Sequence, residues 1–428
     1  MQILFIHQNL PGQFCHLLAS LSAAPNITVF GLGEARRIRE NYKRLPPAVK
    51  VFGYSFLPDD AGNRVAGEGR LNTMLRRARA VAKSLRELRL QGVNPDVVYG
   101  HPGWGEMLYI RDVFPNARIV NYCEFYFNRH GQDYGFDPEF SRAADDNSVA
   151  ISENMIHSAS LLTSDCGISP THWQASRYPP EIRQKITVVH DGIDTTLVRP
   201  AAKDCVAMKV GDTTLSLGDE VITYVARNLE PYRGFHIFMR SLPRVLRERP
   251  KARVVIVGSD GVSYGRPLRG GTYRQYFLRE VGTQLDLSRV HFLGHLPYHQ
   301  YLRVLQISTV HVYLTYPFVL SWSMLDSMAS GCLIIGSRTA PVEEVLRHEE
   351  NGLLVDFFDV DGLAEQIILA CSKRRELSAL RLAARETVLK SYDLRDVCLP
   401  TQMEILRVSP GRYRSTEKDK EIHPASGL

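Results

Sequence analysis

The chain is expected to be an α/β protein built from two doubly wound parallel-sheet domains. Three observations predict this. Short apolar runs alternate with segments of helical periodicity along the whole chain. A turn-rich stretch, DGIDTTLVRPAA (191–202), divides it into two halves of similar architecture. Residues 316–336, YPFVLSWSMLDSMASGCLIIG, read as a loop after a buried strand, then a helix, then a second buried strand. That unit directs backbone N–H groups at one end of a parallel sheet, where nucleotides bind.

In the first half, QILFI (2–6) reads as a buried strand, followed by a turn at Asn9-Leu10-Pro11-Gly12 and a helix over 13–21. A strand is expected at 27–31. A loop rich in Gly, Asp and Asn (59–70) leads into a helix over 71–90. Its Leu71, Met74, Leu75, Ala78, Val81, Ala82, Leu85 and Leu88 recur at i, i+3, i+4, i+7. Strands at 96–100 and 118–122, a helix over 148–158, and short strands at 161–164 and 186–190 complete this half.

The second half begins with a strand at 221–226 and a helix over 235–248. Strands at 253–257 and 290–293, a helix over 298–306, strands at 310–314 and 332–336, and a helix over 361–372 follow. Residues 376–407 read as helical, and the part from about 385 is expected to pack back on the first half. The expected domains are therefore 1–200 and 201–384. The tail, 408–428, is polar, lacks apolar periodicity and is expected to be disordered. Two such domains facing across a cleft would present the C-terminal ends of both sheets to one ligand.

Composition narrows the function classes. At 428 residues with 44% hydrophobic and 23% charged, the chain is long enough for more than one core. A net charge of +6 suits a phosphorylated ligand or an anionic surface and does not by itself imply nucleic acid. Seven cysteines without CxxC spacing argue for reduced thiols in a cytoplasmic protein and against a zinc site. No apolar run reaches the ~18–20 residues of a membrane span, and MQILFI opens as a strand rather than as a signal peptide.

Several stretches carry chemistry. In VARNLEPYRGF (225–235), Arg227 ends a strand and Arg233-Gly234 opens a helix six residues later. Two guanidinium groups there suit a diphosphate clamp; an Arg–Glu surface pair with Glu230 is the alternative. In the first half, Gly12 of QNLPGQF lets backbone approach a phosphate or acceptor. HPGWGE (101–106) places a histidine, an aromatic face and a carboxylate at a strand's end, as a sugar site requires; a structural histidine is the alternative. YCEFYFNRHGQDYGFDPEF (122–140) is crowded with aromatic and acidic residues and is expected to shape an acceptor pocket, with Glu124 its best carboxylate.

The run LDSMASGCLIIGS (325–337) resembles the donor-binding segment LEAMAxGxPVIxS of retaining family-four glycosyltransferases. VARNLEPYRG is similar to that family's GRLxxxKG, GSDG (258–261) to VGxGP, and FLGHLPYHQYLRVLQ (292–306) to FLGxVxxxELxxLY. The match is good over 190–372 and loose over 1–190. It implies the GT-B fold, two Rossmann-like domains facing across a cleft. It also implies a UDP- or GDP-linked sugar as donor substrate, no cofactor and no metal. Arg227 and Arg233 would hold the donor diphosphate. Gly258, Gly294, His295 and Leu296 would line the base pocket, and the amides of Val319, Leu320 and Ser321 would approach the diphosphate. Asp326 would grip the ribose hydroxyls. His101 would face the donor sugar, with Trp104, Glu106 and Glu124 on the acceptor side.

One departure stands out. The family carries two glutamates eight positions apart, the first contacting the donor sugar and the second the ribose. Here the second is Asp326 and the first is Phe318, which accepts no hydrogen bond. The register is fixed on both sides, since APVEEV (340–345) and NGLLV (351–355) fall where the family has GxxEVI and NGLLV.

The resemblance implies a metal-independent, cytoplasmic hexosyltransferase acting with retention on a glycan or lipid-linked acceptor in bacterial surface-polysaccharide or lipid-linked glycan assembly. A catalytically inactive nucleotide-sugar-binding subunit and a sugar-nucleotide epimerase of the same fold are the alternatives. Three features have bland readings beside functional ones. The 71–90 helix carries Arg76, Arg77, Arg79, Lys83, Arg86 and Arg89, so it is either a solvated face or a peripheral contact with an anionic inner-membrane face. SYGRPLRGGTYRQ (263–275) is either a solvated loop or one that closes over phosphate. Asp359-Val360-Asp361 reads as a helix cap rather than a metal motif.

Overall fold

The computed structural model describes residues 1–58, 68–140, 147–201 and 207–408. These form two compact units. The first takes residues 1–130, 143–191 and the chain from Arg395; the second takes Gly131–Arg142 and Gly192–Leu394.

The first unit holds a seven-stranded sheet in the order β3-β2-β1-β4-β5-β6-β7. Its strands are β1 (Gln2–Ile6), β2 (Thr28–Glu34), β3 (Lys50–Tyr54), β4 (Val97–Gly100), β5 (Arg118–Tyr122), β6 (Cys166–Ser169) and β7 (Ile186–Val188). All pairings are parallel. Ile3, Leu4, Phe5 and Ile6 are all inaccessible to solvent, as a central strand covered on both faces requires. The helix over Glu68–Leu90 buries Val81, Ala82, Leu85 and Leu88 in the core on one face of this sheet.

The second unit holds a six-stranded parallel sheet in the order β12-β11-β10-β13-β14-β15 and a separate antiparallel hairpin of β8 (Ala207–Val210) and β9 (Thr213–Ser216). Its strands are β10 (Val221–Asn228), β11 (Arg253–Ser259), β12 (Val290–Gly294), β13 (Val310–Tyr313), β14 (Leu333–Ser337) and β15 (Leu353–Val355). Helices over Phe235–Glu248, Tyr298–Ile307 and Trp322–Ala329 follow β10, β12 and β13.

Each sheet has a point where successive connections diverge to opposite sides, between β1 and β4 in the first unit and between β10 and β13 in the second. Ligands of doubly wound sheets bind outside the strand ends at such points. His7 and His101 follow β1 and β4, and Arg233 and Phe318 follow β10 and β13, at these points.

The structure differs from expectation in three places that matter. The helix expected over 148–158 runs from Asn147 to Leu162, and the strand expected at 161–164 lies instead at Cys166–Ser169. The Leu-Leu pair belongs to the helix end, which Thr163 and Ser164 close by donating their hydroxyls to the carbonyls of Ala159, Ser160 and Leu161. The long C-terminal helix is broken: Ser378–Ser391 stays with the second unit, and only the chain from Arg395 joins the first. The acidic-aromatic stretch expected to shape the acceptor pocket is also divided. From Gly131 it leaves the first unit and packs on the second, with Phe136 against Tyr316, Phe357 and Phe358, and Phe140 against Tyr273 and Phe277. The tail expected to be disordered lies outside the described residues.

Candidate active site

In the second unit, β10 ends in Asn228 and the chain turns through Pro231-Tyr232-Arg233 into the helix over Phe235–Glu248. Gly234 makes this turn with φ +68°, and a Cβ there would stand 2.4 Å from Leu314 Cβ, so only glycine fits. The Tyr224 hydroxyl donates to the Arg233 carbonyl at 2.7 Å, and the Tyr316 amide donates to the Tyr232 carbonyl at 3.0 Å. The turn after β10 is thereby sewn to the loop after β13.

Arg233 does the same through its side chain. One guanidinium nitrogen donates to Thr315 Oγ1 at 2.7 Å and to the Val319 carbonyl at 3.0 Å, and it lies 3.4 Å from the Tyr313 hydroxyl. Burial works against its charged form, but the neighbouring Tyr313, Tyr264 and Glu230 outweigh that and raise its pKa. The result is a fixed cation at the switch point. Arg227, the other expected clamp residue, ends β10 with its side chain exposed.

Beside Arg233, Phe318, Val319 and Leu320 are 7–8% exposed. Among the described residues, the amides of Val319 and Leu320 meet no acceptor. The Ser321 amide differs from expectation, because it donates to the Tyr313 hydroxyl at 2.8 Å and is not available to a ligand. Ser321 instead caps the helix over Trp322–Ala329 with its side chain.

Asp326 also departs from expectation. It is wholly inaccessible, its Oδ2 accepts the Tyr301 hydroxyl at 3.1 Å, and it lies among the core side chains Met324, Leu325, Met328 and Leu305. Desolvation pushes its carboxyl up to about 7, against the pull of Tyr301 and Tyr298. Shortened by a methylene relative to glutamate, the carboxyl is held within the unit and offers no open surface to ribose hydroxyls. Gly258 is a close approach, since a Cβ would stand 2.6 Å from the Ala226 carbonyl, and Gly294 ends β12 with φ +65°. His295 is exposed and Leu296 packs partly against the core.

In the first unit, His7 follows β1 and His101 follows β4. The His7 Nδ1 accepts the Asn9 amide at 2.9 Å, and Gly12, at φ +51°, lies over the ring so closely that a Cβ would stand 2.6 Å from it. Burial holds His7 neutral, its pKa lowered to about 3 with help from His101. His101 is 3% exposed and stacks on Trp104 with centroids 4.2 Å apart. Its Nδ1 accepts the Gly103 amide at 2.9 Å, so its proton sits on Nε2, 3.2 Å from Glu124 Oε2.

The other Glu124 oxygen accepts Gln13 Nε2 at 3.0 Å, while Gln174 Nε2 donates to the Glu124 carbonyl. Burial raises the Glu124 pKa, but the His101 hydrogen bond, the polar edges of the neighbouring imidazoles and Gln13 together bring it below the usual carboxylate range. Its side chain keeps 32% exposure. Glu124 is thus an ionised, oriented acceptor open to a hydroxyl.

Glu106 is not on that side. It is 1% exposed, accepts the Tyr54 hydroxyl at 2.8 Å, and lies 3.7 Å from Arg77, so the expected acceptor contact is replaced by a buried cluster. Burial raises its carboxyl pKa. Arg77 accordingly leaves the basic face of its helix, where Arg76, Arg79, Lys83 and Arg86 remain exposed.

Sequence reasoning missed His7, Gln13, Gln174 and Tyr313. The Pro-Gly turn five residues after His7 was the one available signal, because such a turn needs something flat beneath it. Among the described residues, no group of three or more His, Cys, Asp and Glu is placed to hold a metal ion, and no helix is long and apolar enough to cross a membrane.

The fold and the two switch-point sites define a protein of the glycosyltransferase class with two Rossmann-like sheets. Residues 32–198 match the family described as "Glycosyl transferase family 4 group", and residues 211–387 match "Glycosyl transferases group 1". The chain belongs to the family-four glycosyltransferases of the GT-B fold. It is 24% identical over 254 residues to a glycogen synthase of Mycobacterium tuberculosis, covering 59% of this chain and 55% of that one. It is 25% identical over 203 residues to a D-inositol 3-phosphate glycosyltransferase of Rhodococcus jostii, covering 47% and 42%. The matches thus span about half the length of these curated relatives. Among solved structures, the sucrose-phosphate synthase of Thermosynechococcus elongatus shares the fold, with a TM-score of 0.68, 16% identity and coverage of 95% of this chain and 98% of that one. So does Anabaena HepE, solved with UDP and glucose, with a TM-score of 0.63, 15% identity and coverage of 95% and 100%.

Proposed function

We propose that the chain transfers a sugar from a UDP- or GDP-linked donor to a hydroxyl of a glycan or lipid-linked acceptor, with retention. Arg233 carries the reading. Its guanidinium is immobilised at the switch point of the second sheet, next to the unclaimed amides of Val319 and Leu320, and so suits a diphosphate. Arg227 supplies a second guanidinium.

The acceptor hydroxyl attacks the anomeric carbon from the face that the nucleotide leaves. The bond from that carbon to the phosphate oxygen breaks, its electron pair goes to the β-phosphate, and that oxygen takes the hydroxyl proton. Arg233 stabilises the developing phosphate charge. Glu124, steadied by Gln13 and His101, accepts a hydrogen bond from the acceptor and orients it. Assembly of a bacterial surface polysaccharide or lipid-linked glycan is the setting we propose, from the family resemblance and the basic helix. The exposed face of Arg76, Arg79, Lys83 and Arg86 fits a peripheral contact with an anionic membrane on the cytoplasmic side.

Calorimetric titration of the full chain with UDP and GDP tests the donor half. At least one should bind, and Arg233→Ala should weaken it by more than tenfold; unchanged affinity removes the clamp. One observation favours a second reading. Phe318 stands where a sugar-binding carboxylate is expected, which fits a nucleotide-sugar-binding subunit without turnover. Binding with neither transfer nor donor hydrolysis across a panel of UDP- and GDP-sugars would establish it.

A further inference from the structure

The segment after β11, expected as a solvated loop or a closing one, is anchored at its start. Glu230, whose surface pairing with arginine was the alternative to the diphosphate clamp, is 1% exposed. Its carboxylate accepts the amides of Ser263 at 2.9 Å, Tyr264 at 3.3 Å and Gly265 at 2.9 Å. Asn228 Nδ2 adds a bond to Ser263 Oγ at 2.7 Å. The far end is fixed too, since the Tyr273 hydroxyl donates to the Arg266 carbonyl at 2.7 Å and Arg274 pairs with Asp260 at 2.8 Å.

A buried carboxylate is costly unless hydrogen bonds satisfy it, and here three successive backbone donors do so. The consequence is the position of one ring. Tyr264 lies 5.7 Å from the Arg233 guanidinium, 4.8 Å from Phe318 and 5.6 Å from Tyr232. Three turns, after β10, β11 and β13, therefore converge on Tyr264 beside the Arg233 guanidinium.

We infer that Tyr264 is a ligand-contacting wall of the nucleoside-diphosphate site and that Glu230 is the positioning residue that holds it there. This rests on the reading of Arg233 as the diphosphate-binding group. The ring keeps partial exposure, so it has surface left for a ligand. Anything attached to a phosphate on Arg233 lies within a few bonds of it. Replacing Glu230 by Gln keeps the size but turns amide hydrogens toward backbone donors, which releases the turn.

The test is calorimetric titration of UDP and GDP into the full chain carrying Tyr264→Ala, Tyr264→Phe, Glu230→Gln or Arg233→Ala. Tyr264→Ala and Glu230→Gln should each weaken binding by about tenfold, the scale of a lost aromatic–cation contact with its ligand, while Tyr264→Phe binds as the parent does. Trypsin should cut after Arg269 faster in Glu230→Gln than in the parent, with the global unfolding midpoint little changed. Wild-type affinity in both Tyr264→Ala and Glu230→Gln, with binding lost in Arg233→Ala, overturns this inference alone. Affinity unchanged in Arg233→Ala as well, or no binding by the parent, overturns the diphosphate reading with it. Should Glu230→Gln fail to fold, Tyr264→Ala decides.

Discussion

His101 gives its Nε2 proton to Glu124 across 3.2 Å while its Nδ1 takes the Gly103 amide, so both ring nitrogens are committed within the first unit. A histidine in that state has no lone pair left for a substrate. The exposed member of the pair is Glu124, and the histidine acts on the acceptor through it.

The first prediction follows. Glu124→Gln should lower turnover by about 10²-fold, the scale of a misplaced acceptor, while leaving UDP or GDP affinity unchanged. His101→Asn should give a smaller loss in the same parameter. The Glu124 pKa lies below the ordinary carboxylate range, so the carboxylate stays charged down through that range. The parent's rate should therefore hold as pH falls through the ordinary carboxylate range, with an acid limb only below that range that Glu124→Gln lacks. Steady-state rates followed from neutral pH to below that range check this. Full turnover in the variant would remove Glu124 from the acceptor site.

Gly12 carries the second prediction. Its φ of +51° and its contact with the His7 ring both exclude a side chain. Gly12→Ala should cost about 1–3 kcal/mol from backbone strain and tilt His7 against His101 and Trp104. Denaturant unfolding together with turnover tests it. A variant with parental stability and rate would show that the turn tolerates displacement.

How legible this was in the sequence depended on the kind of signal. The helix over Phe235–Glu248 was expected at the residues where it occurs, because apolar spacing and the Arg-Gly turn agree there. β3 was missed, since KVFGY is short and broken by a glycine, and the four-residue strands of the β8–β9 hairpin are too short to show a period. The position of Asp326 in the motif was legible, but its burial was not. That burial depends on Tyr301, 25 residues earlier and on another helix. The burial of Glu230 was illegible for the same reason, because its partners are backbone amides more than 30 residues away. Pattern reports which face of an element is apolar. It does not report which distant donor a buried carboxylate meets.

Asp326 gives the third prediction. Its folded pKa of about 7 lies above the unfolded value of about 3.9. Between these values the folded state binds more protons than the unfolded state, so stability falls as pH rises from about 4 to 7 and levels off above. Asp326→Asn removes the ionisable group while keeping an acceptor for Tyr301. Urea unfolding at pH 5 and pH 8 should show a smaller difference in the variant than in the parent. An equal difference would place the titrating group elsewhere.

Asp137 gives the fourth. It lies in the stretch from Gly131 that packs on the second unit, and it is 1% exposed. Its carboxylate accepts the Tyr316 hydroxyl, the amides of Glu139 at 2.8 Å and Phe140 at 3.1 Å, and lies 3.2 Å from His236 Nε2. Burial raises its pKa, but His236 and Tyr316 outweigh that and lower it to about 2. The folded pKa is depressed, so this stabilisation is complete above the unfolded carboxylate value and is lost as pH falls toward 2. Asp137→Ala strands His236, Tyr316 and two amides in the interior and should cost about 3–5 kcal/mol. Asp137→Asn keeps the amide contacts and should cost less. Because Tyr316 opens the loop that Arg233 braces, Asp137→Ala should also weaken nucleotide binding. A variant that unfolds at the parental urea concentration would show that the stretch adheres by its phenylalanines alone, with its carboxylate idle.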